Sequence, residues 1–249
     1  MLGHGQEVGV RSMVGENVTA VWSKARGMLV AARSGAAGRH ERSAAPARRG
    51  LGAVRGVVKE IEDKALGGLV FVMLLPMMAL IALAVAAESS GPILYRQRRS
   101  GYGGRQFTCY KFRTMRIDGD RSEFRQAVRN DPRVTRVGRF LRRSSLDELP
   151  QLLNVLSGTM SLIGPRPHPR ELDRRFAPLI AEYDRRLAVK PGITGLAQVR
   201  GYRGETPTLE SMRGRIEHDL RYVDAWSPLL DLKILLATPL ACLTSENAY

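Results

Sequence analysis

The longest apolar run in the chain, residues 66–87 (LGGLVFVMLLPMMALIALAVAA), has 22 residues and no charge. At about 1.5 Å of rise per residue it is long enough to cross a bilayer as a helix. Pro76 falls in its middle, where it removes a backbone donor and clashes one turn back, so the pattern predicts a bend or break there. Basic residues stand on both flanks, with Arg48, Arg49, Arg55, Lys59 and Lys64 before the run and Arg96, Arg98, Arg99 and Arg105 after it. The positive-inside preference then gives no asymmetry and is met when both ends stay in the cytoplasm. A re-entrant hairpin turning at Pro76 does this, while a plain kinked span is equally permitted by the pattern alone.

Beyond the run the pattern shortens. Turn signals at Gly91-Pro92 and Gly103-Gly104 precede the alternation of QFTCYKF, which predicts a short strand or hairpin. In DPRVTRVGRFLRR, Val134, Val137 and Leu141 share one helical face and arginines fill the rest, as in a helix lying on anionic headgroups. LDELPQLLNVL projects Leu146, Leu149, Leu152, Leu153 and Leu156 to one side and Asp147, Gln151 and Asn154 to the other, read as a solvent-facing row. Ser145 followed by Glu148 has capping-box spacing. LAQV reads as a short strand, and a helix is predicted from Thr206-Pro207 onward. The C-terminal SPLLDLKILLATPLACL is apolar but short, carries Asp231 and Lys233 and contains Pro239, so it is expected to rest in the membrane interface near Trp226.

Composition adds the partner. The 249 residues are 44% apolar and 25% charged, ample for a core, with a net charge of +15 that requires an anionic partner. Residues 96–143 alone hold fifteen Lys or Arg against four acids. Aromatic content of 6% and the lack of a groove-reading helix argue against nucleic acid. Cys109 and Cys242 fit neither a disulfide framework nor a metal spacing. Residues 1–55, rich in Gly, Ala and Arg, read as a basic, disordered tail.

Within this basic setting the adjacent acids Asp147 and Glu148 stand out. Fifteen nearby cations would hold Asp147 ionised, which suits a nucleophile or a metal ligand. Arg166, fixed between Pro165 and Pro167, offers a guanidinium fork on a stiff loop suited to phosphate. Lys190, Arg200 and Arg203 surround the turn at Pro191-Gly192.

The segments YKFRTM, DPRVTRVGRFLRRSSLDELPQLLNVLSGTMSLIGPRP and VKPGITGLAQVRGYRGET, preceded by the apolar run and GPILYRQRRSG, resemble the bacterial sugar transferase family of monotopic phosphoglycosyl transferases, over residues 58–245. The resemblance implies an α-rich α+β protein with a re-entrant broken helix, interfacial amphipathic helices and a small β-hairpin. It divides residues 56–249 into a membrane hairpin (about 60–88), a cytosolic catalytic part (about 89–227) and an interfacial C-terminal helix (about 228–243). It implies transfer of a sugar 1-phosphate, glucose first and galactose second, from a UDP-sugar to undecaprenyl phosphate with release of UMP, at the cytoplasmic face of the bacterial inner membrane in exopolysaccharide or capsule assembly. Asp147 and Glu148 match the catalytic pair, Asp147 forming a phosphosugar intermediate and both binding Mg²⁺. Arg142, Lys111, Arg166, Gln151 and Arg113 match substrate-binding positions. Expected partners are thus the UDP-sugar, undecaprenyl phosphate and membrane lipids, with no nucleic acid and a homodimer left open. Leu75-Pro76 replaces the family's usual Ser-Pro at the helix break, and Lys59-Glu60 its Lys-Arg. A rival reading is a membrane-tethered scaffold or anion-binding protein without catalysis.

Overall fold

A computed structural model describes residues 46–116, 131–204, 206 and 208–244. The expected tail therefore lies, up to residue 45, outside the described residues. The chain divides into units at Arg55, and the packing below is that of Gly56–Tyr249.

Helix α1, Pro46–Glu88, carries the apolar run as one helical element that continues past Pro76. Its covered positions, Asp63, Gly67, Val70, Leu74, Met77, Ile81 and Val85, recur every three or four residues and face the rest of the unit. The opposite side is also apolar: Leu69, Val72, Met73, Leu80 and Leu83 are 59–70% exposed. Leaving such side chains in water forgoes roughly 1.5–3 kcal/mol apiece, a loss that a lipid phase removes. Over Gly56–Glu88 the helix is long and apolar enough to cross a membrane, and the helix-rich unit it covers is compatible with monotopic membrane association.

Both ends of the part of α1 that lies in this unit are tied to the same body. Near the start, Lys59 Nζ lies 2.9 Å from Asp63 Oδ1 and 2.8 Å from Asp231 Oδ2. Asp63 Oδ1 also accepts from Ser161 Oγ at 2.9 Å and Leu162 N at 3.0 Å. At the far end, Glu88 accepts from the backbone of Arg136 at 2.7 Å and Val137 at 3.0 Å, serving the first turn of helix α2, Arg136–Ser144.

After α1, strands β1 (Leu94–Ser100) and β2 (Gln106–Phe112) form the expected antiparallel hairpin, in register from Leu94↔Phe112 to Ser100↔Gln106. Helix α2 is capped by Thr135 and packs so tightly on the chain after β2 that a Cβ on Gly138 would meet Thr114 O at 2.1 Å. Helix α3 (Gln151–Leu156) leads to β3 (Ser161–Ile163), which pairs in parallel with β4 (Gly192–Thr194). Between them come α4 (Arg170–Phe176) and the 3₁₀ helix Tyr183–Ala188. The chain ends in α5 (Leu196–Val199), α6 (Leu209–Ala225) and α7 (Pro228–Thr244), the last matching the expected C-terminal helix.

Three sequence-based expectations are corrected. LAQV forms the helix α5, and the strand falls four residues earlier, where Gly192 N donates to Pro165 O at 3.0 Å. Ser145 caps nothing through its side chain: it takes a left-handed conformation, φ 56°, that closes α2 and starts the 3₁₀ turn Leu146–Glu148. The row Asp147, Gln151 and Asn154 is buried, at 8, 1 and 2% exposure, while Leu153 of the apolar row is 37% exposed. The side of this segment read as wet faces protein because β2 covers it.

Candidate active site

Side chains from three segments meet at the acid pair. β2 brings Lys111, the turn at 145–148 brings Asp147 and Glu148, and the loop at 165–168 brings Arg166. Lys111 Nζ lies 2.7 Å from Glu148 Oε1 and 3.9 Å from Asp147 Oδ2. Arg166 grips Glu148 with two prongs, Nη1 donating to Oε2 at 2.9 Å and Nη2 to Oε1. Among the described residues, no hydrogen bond reaches the Asp147 carboxylate.

The scaffold fixes each contributor. Asn154 on α3 accepts from Tyr110 N at 3.1 Å and donates to Thr108 O at 2.8 Å, bracketing β2 just ahead of Lys111. The prolines stiffen the Arg166 loop, as the sequence implies, and every carbonyl from 165 to 168 is also taken. Pro165 O accepts from Gly192 N, Arg166 O from Arg186 Nη2, Pro167 O from Arg99 Nη1 at 2.7 Å, and His168 O from Ser100 N at 3.2 Å. A Cβ on Gly164 would lie 2.5 Å from Lys190 O, so only glycine lets the loop sit this close to β4. The loop backbone thus has no freedom with which to move the guanidinium, leaving Arg166 only side-chain rotations.

The two acids differ electrostatically. Burial works to raise the pKa of Glu148, but Arg166 and Lys111 outweigh it and hold the carboxyl well below its usual value of 4.5. For Asp147, burial prevails: with Glu148 beside it, its pKa stays above the usual 3.8 despite Lys111, Arg166 and Arg142. The expectation that neighbouring cations hold Asp147 ionised is therefore met at Glu148 instead, because that is the acid the cations touch. Burial also raises the Cys109 thiol.

Of the candidates read from sequence, Asp147, Glu148, Lys111 and Arg166 converge. Arg142, on the last turn of α2, acts on Asp147 through space. Gln151 is buried at the start of α3. Arg113 is not brought to the acids. Its guanidinium donates to Pro92 O at 2.7 Å and Val85 O at 3.2 Å, and also to Ser89 O, so it ties the last turn of α1 to the connection that follows it. Sequence reading missed Asn154, Arg99 and Arg186 as supporting residues. Asn154 had a signal, a polar residue one turn from Gln151, but that pattern does not tell a wet face from a buried bracket; the arginines lay in charged runs without any signal.

Among the described residues no group of three or more His, Cys, Asp or Glu gathers as a metal site. The pair still fits a hard cation in part, since Asp147 has oxygen lone pairs not engaged in hydrogen bonds and substrate phosphates would supply further oxygens.

Comparison with known proteins gives the family. Residues 54–245 match the family model described as bacterial sugar transferase. The chain is 50% identical over 194 residues to the UDP-glucose:undecaprenyl-phosphate glucose-1-phosphate transferase of Xanthomonas campestris pv. campestris, a match covering 78% of this chain and 40% of that protein. It is 51% identical over 191 residues to the protein of the same name from Caulobacter vibrioides, covering 77% and 72%. It is 46% identical over 199 residues to that from Escherichia coli K12, covering 80% and 43%. The chain thus spans less than half the length of two of these relatives and nearly three quarters of the third. With the family model covering residues 54–245, which include the apolar helix and the whole acid site, the chain belongs to the bacterial sugar transferase family.

Proposed function

We propose that this chain transfers glucose 1-phosphate from UDP-glucose to undecaprenyl phosphate and releases UMP, the first membrane step in making an exopolysaccharide. The observation that carries it is a buried Asp147 carboxylate without hydrogen bonds, set against a Lys111–Glu148–Arg166 charge cluster in a unit whose longest helix keeps an uncovered apolar face. Asp147 attacks the phosphorus bonded to the sugar, the bond to the bridging oxygen breaks, and UMP departs with that electron pair. An oxygen of the lipid phosphate then attacks the same phosphorus and frees the carboxylate, leaving a lipid diphosphate sugar. The raised pKa of Asp147 favours this role, since a more basic carboxylate is a better nucleophile once ionised. Lys111 and Arg166, paired with Glu148 in the absence of substrate, are placed to turn toward phosphoryl oxygens as charge develops there. Mg²⁺ held by Asp147, with Glu148 beside it, would neutralise diphosphate charge.

The membrane reading rests on α1. Lys59, Asp63 and Glu88 bond the two ends of its apolar stretch to one body, which supports a re-entrant placement with both ends of that stretch at the cytoplasmic face of the inner membrane. Purified protein with undecaprenyl phosphate, Mg²⁺ and a panel of UDP-sugars tests the activity. UMP release with UDP-glucose is the expected result; release only with UDP-galactose moves the sugar, and none with any donor leaves an anion-binding scaffold. Intact mass after exposure to donor alone is expected to show a sugar-phosphate adduct, and persistent absence of one points to direct attack by the lipid.

A further inference from the structure

Behind the Arg166 loop lies a second charge cluster, more deeply buried than the acid pair. Arg186, Arg215, Asp219, His168 and Tyr183 are each 1–4% exposed. Arg186 pairs with Asp219 through Nε at 3.0 Å and Nη2 at 2.9 Å, and its Nη2 also holds Arg166 O. Arg215, one helical turn before Asp219 on α6, donates through Nε to Tyr202 O at 3.0 Å and through Nη2 to Gly204 O. These carbonyls flank Arg203. The Arg203 Nη1 atom is buried and has no hydrogen-bond partner among the described residues.

His168 stands between the two guanidinium groups, with Nδ1 3.0 Å from Arg186 Nη1 and Nε2 3.5 Å from Arg215 Nη1. Burial and these cations keep the ring neutral, so one nitrogen accepts and the other donates. Tyr183 Oη is 2.7 Å from Nδ1 and gives its proton to Asp173 Oδ1 at 2.8 Å, while Arg186 and Arg215 can only donate to the ring. Two buried arginines against Asp219 are costly to desolvate, and neither packs for its own sake. Each holds the backbone of a loop: Arg186 the one that carries Arg166, Arg215 the one that carries Arg203.

We propose that Arg215 is a positioning residue of the transfer reaction, clamping the loop at 201–204 so that the Arg203 guanidinium, whose Nη1 lacks a hydrogen-bond partner among the described residues, meets a phosphate of one substrate. This inference rests on the transferase reading. The phosphate belongs either to the nucleotide sugar or to the polyprenyl lipid, and two titrations separate these sources.

The test is a double-mutant cycle of wild type, Arg215→Lys, Arg203→Gln and the combined variant. UMP release is measured against UDP-glucose and, separately, undecaprenyl phosphate, with calorimetric Kd for UDP and for the micellar lipid phosphate. Lysine keeps the charge of Arg215 but cannot span two carbonyls. Each single variant is expected to raise KM and Kd for one substrate by about tenfold, with kcat within about threefold, and the double variant to cost no more than either alone. A rise confined to UDP-glucose and UDP assigns the donor, and one confined to the lipid assigns the acceptor; both support the proposal. Unchanged KM and Kd in Arg203→Gln would overturn it. So would additive losses, or a fall in kcat that merely tracks a lower unfolding temperature. An inactive wild type would refute the transferase reading, and the Kd cycle would still decide whether Arg215 and Arg203 act together on phosphate.

Discussion

Two places in this molecule put a lysine between two acids, and they are built to opposite ends. At the base of α1, Lys59 joins Asp63 and Asp231. Asp231 is fully buried and also accepts from Trp226 Nε1 and Tyr222 Oη, each at 2.9 Å, while Asp63 Oδ1 takes Ser161 and Leu162. At the acid pair, Lys111 and Arg166 both go to Glu148, and among the described residues Asp147 has one ion pair, at 3.9 Å. The first cluster engages both acids and ties α1, β3 and α7 together. The second saturates one acid and leaves its neighbour available. A buried carboxylate without hydrogen bonds is costly to keep ionised, so an acid held that way in a site rich in cations is better explained by reaction than by stability.

The sharpest way to break this comparison is to neutralise one acid in each cluster. Asp147→Asn is expected to reduce UMP release by at least about a thousandfold, through loss of the nucleophile, with unfolding temperature unchanged or raised because a buried charge has gone. A variant that kept about a tenth of wild-type turnover would remove Asp147 from the chemistry. Asp231→Asn should do the reverse. Leaving Lys59 with half its charge partners is expected to cost about 3–5 kcal/mol in denaturant titrations in detergent, while turnover per folded molecule is retained. Loss of turnover without loss of stability would make the α1 anchor part of the site.

How much of this was legible in the sequence follows from the range of each signal. The apolar run, the β hairpin and the C-terminal helix are local patterns, and each formed its element, the run as one helix through Pro76 where a bend or break was expected. The acid pair and Arg166 were found by residue type, and the structure joins them. The partition of cations between Asp147 and Glu148 was not legible, since it depends on where Lys111 lands across 37 residues of chain. Asn154 was misread for the same reason: periodicity shows that it leaves the apolar face of α3, but not that β2 waits there. LAQV failed on length, four residues being too few for a period to separate strand from helix.

Asn154 sharpens the comparison at a smaller scale, because it supports the site without charge. Asn154→Leu leaves Tyr110 N and Thr108 O without their side-chain partner, and a cost of about 1–3 kcal/mol is expected from chemical unfolding. Turnover should also fall, since β2 sets the height of Lys111 against Glu148. A variant destabilised to this degree with unchanged kcat would show that the lysine is placed by the hairpin alone.

The smallest effect concerns the third cluster and appears as a pH slope. Burial, then Arg186, Arg215, Arg99 and Arg166, hold His168 neutral well below its ordinary pKa of 6.5. Asp173, 3.7 Å away, and Asp219, paired to Arg186, do not reverse this. Between the folded pKa and 6.5 the unfolded chain binds a proton that the native ring refuses, so stability rises with pH across that window. The contribution is complete above about 6.5 and is lost as acid is added. Glu148 acts in the same direction but only below its ordinary 4.5, where its depressed carboxyl begins to resist protonation that the unfolded chain accepts. Asp147 and Asp219, whose carboxyls burial raises, oppose this slope above their ordinary 3.8, so the imidazole is read from the difference between wild type and variant in denaturant midpoints from pH 7.5 down to about 5. His168→Gln, whose amide oxygen can still accept from a neighbouring arginine and does not titrate, is expected to flatten the slope in that interval and leave the steeper fall below 4.5 in place. Equal slopes in the two proteins would mean that the ring takes up its proton inside the fold, and that the arginines around it are screened by something other than a neutral acceptor.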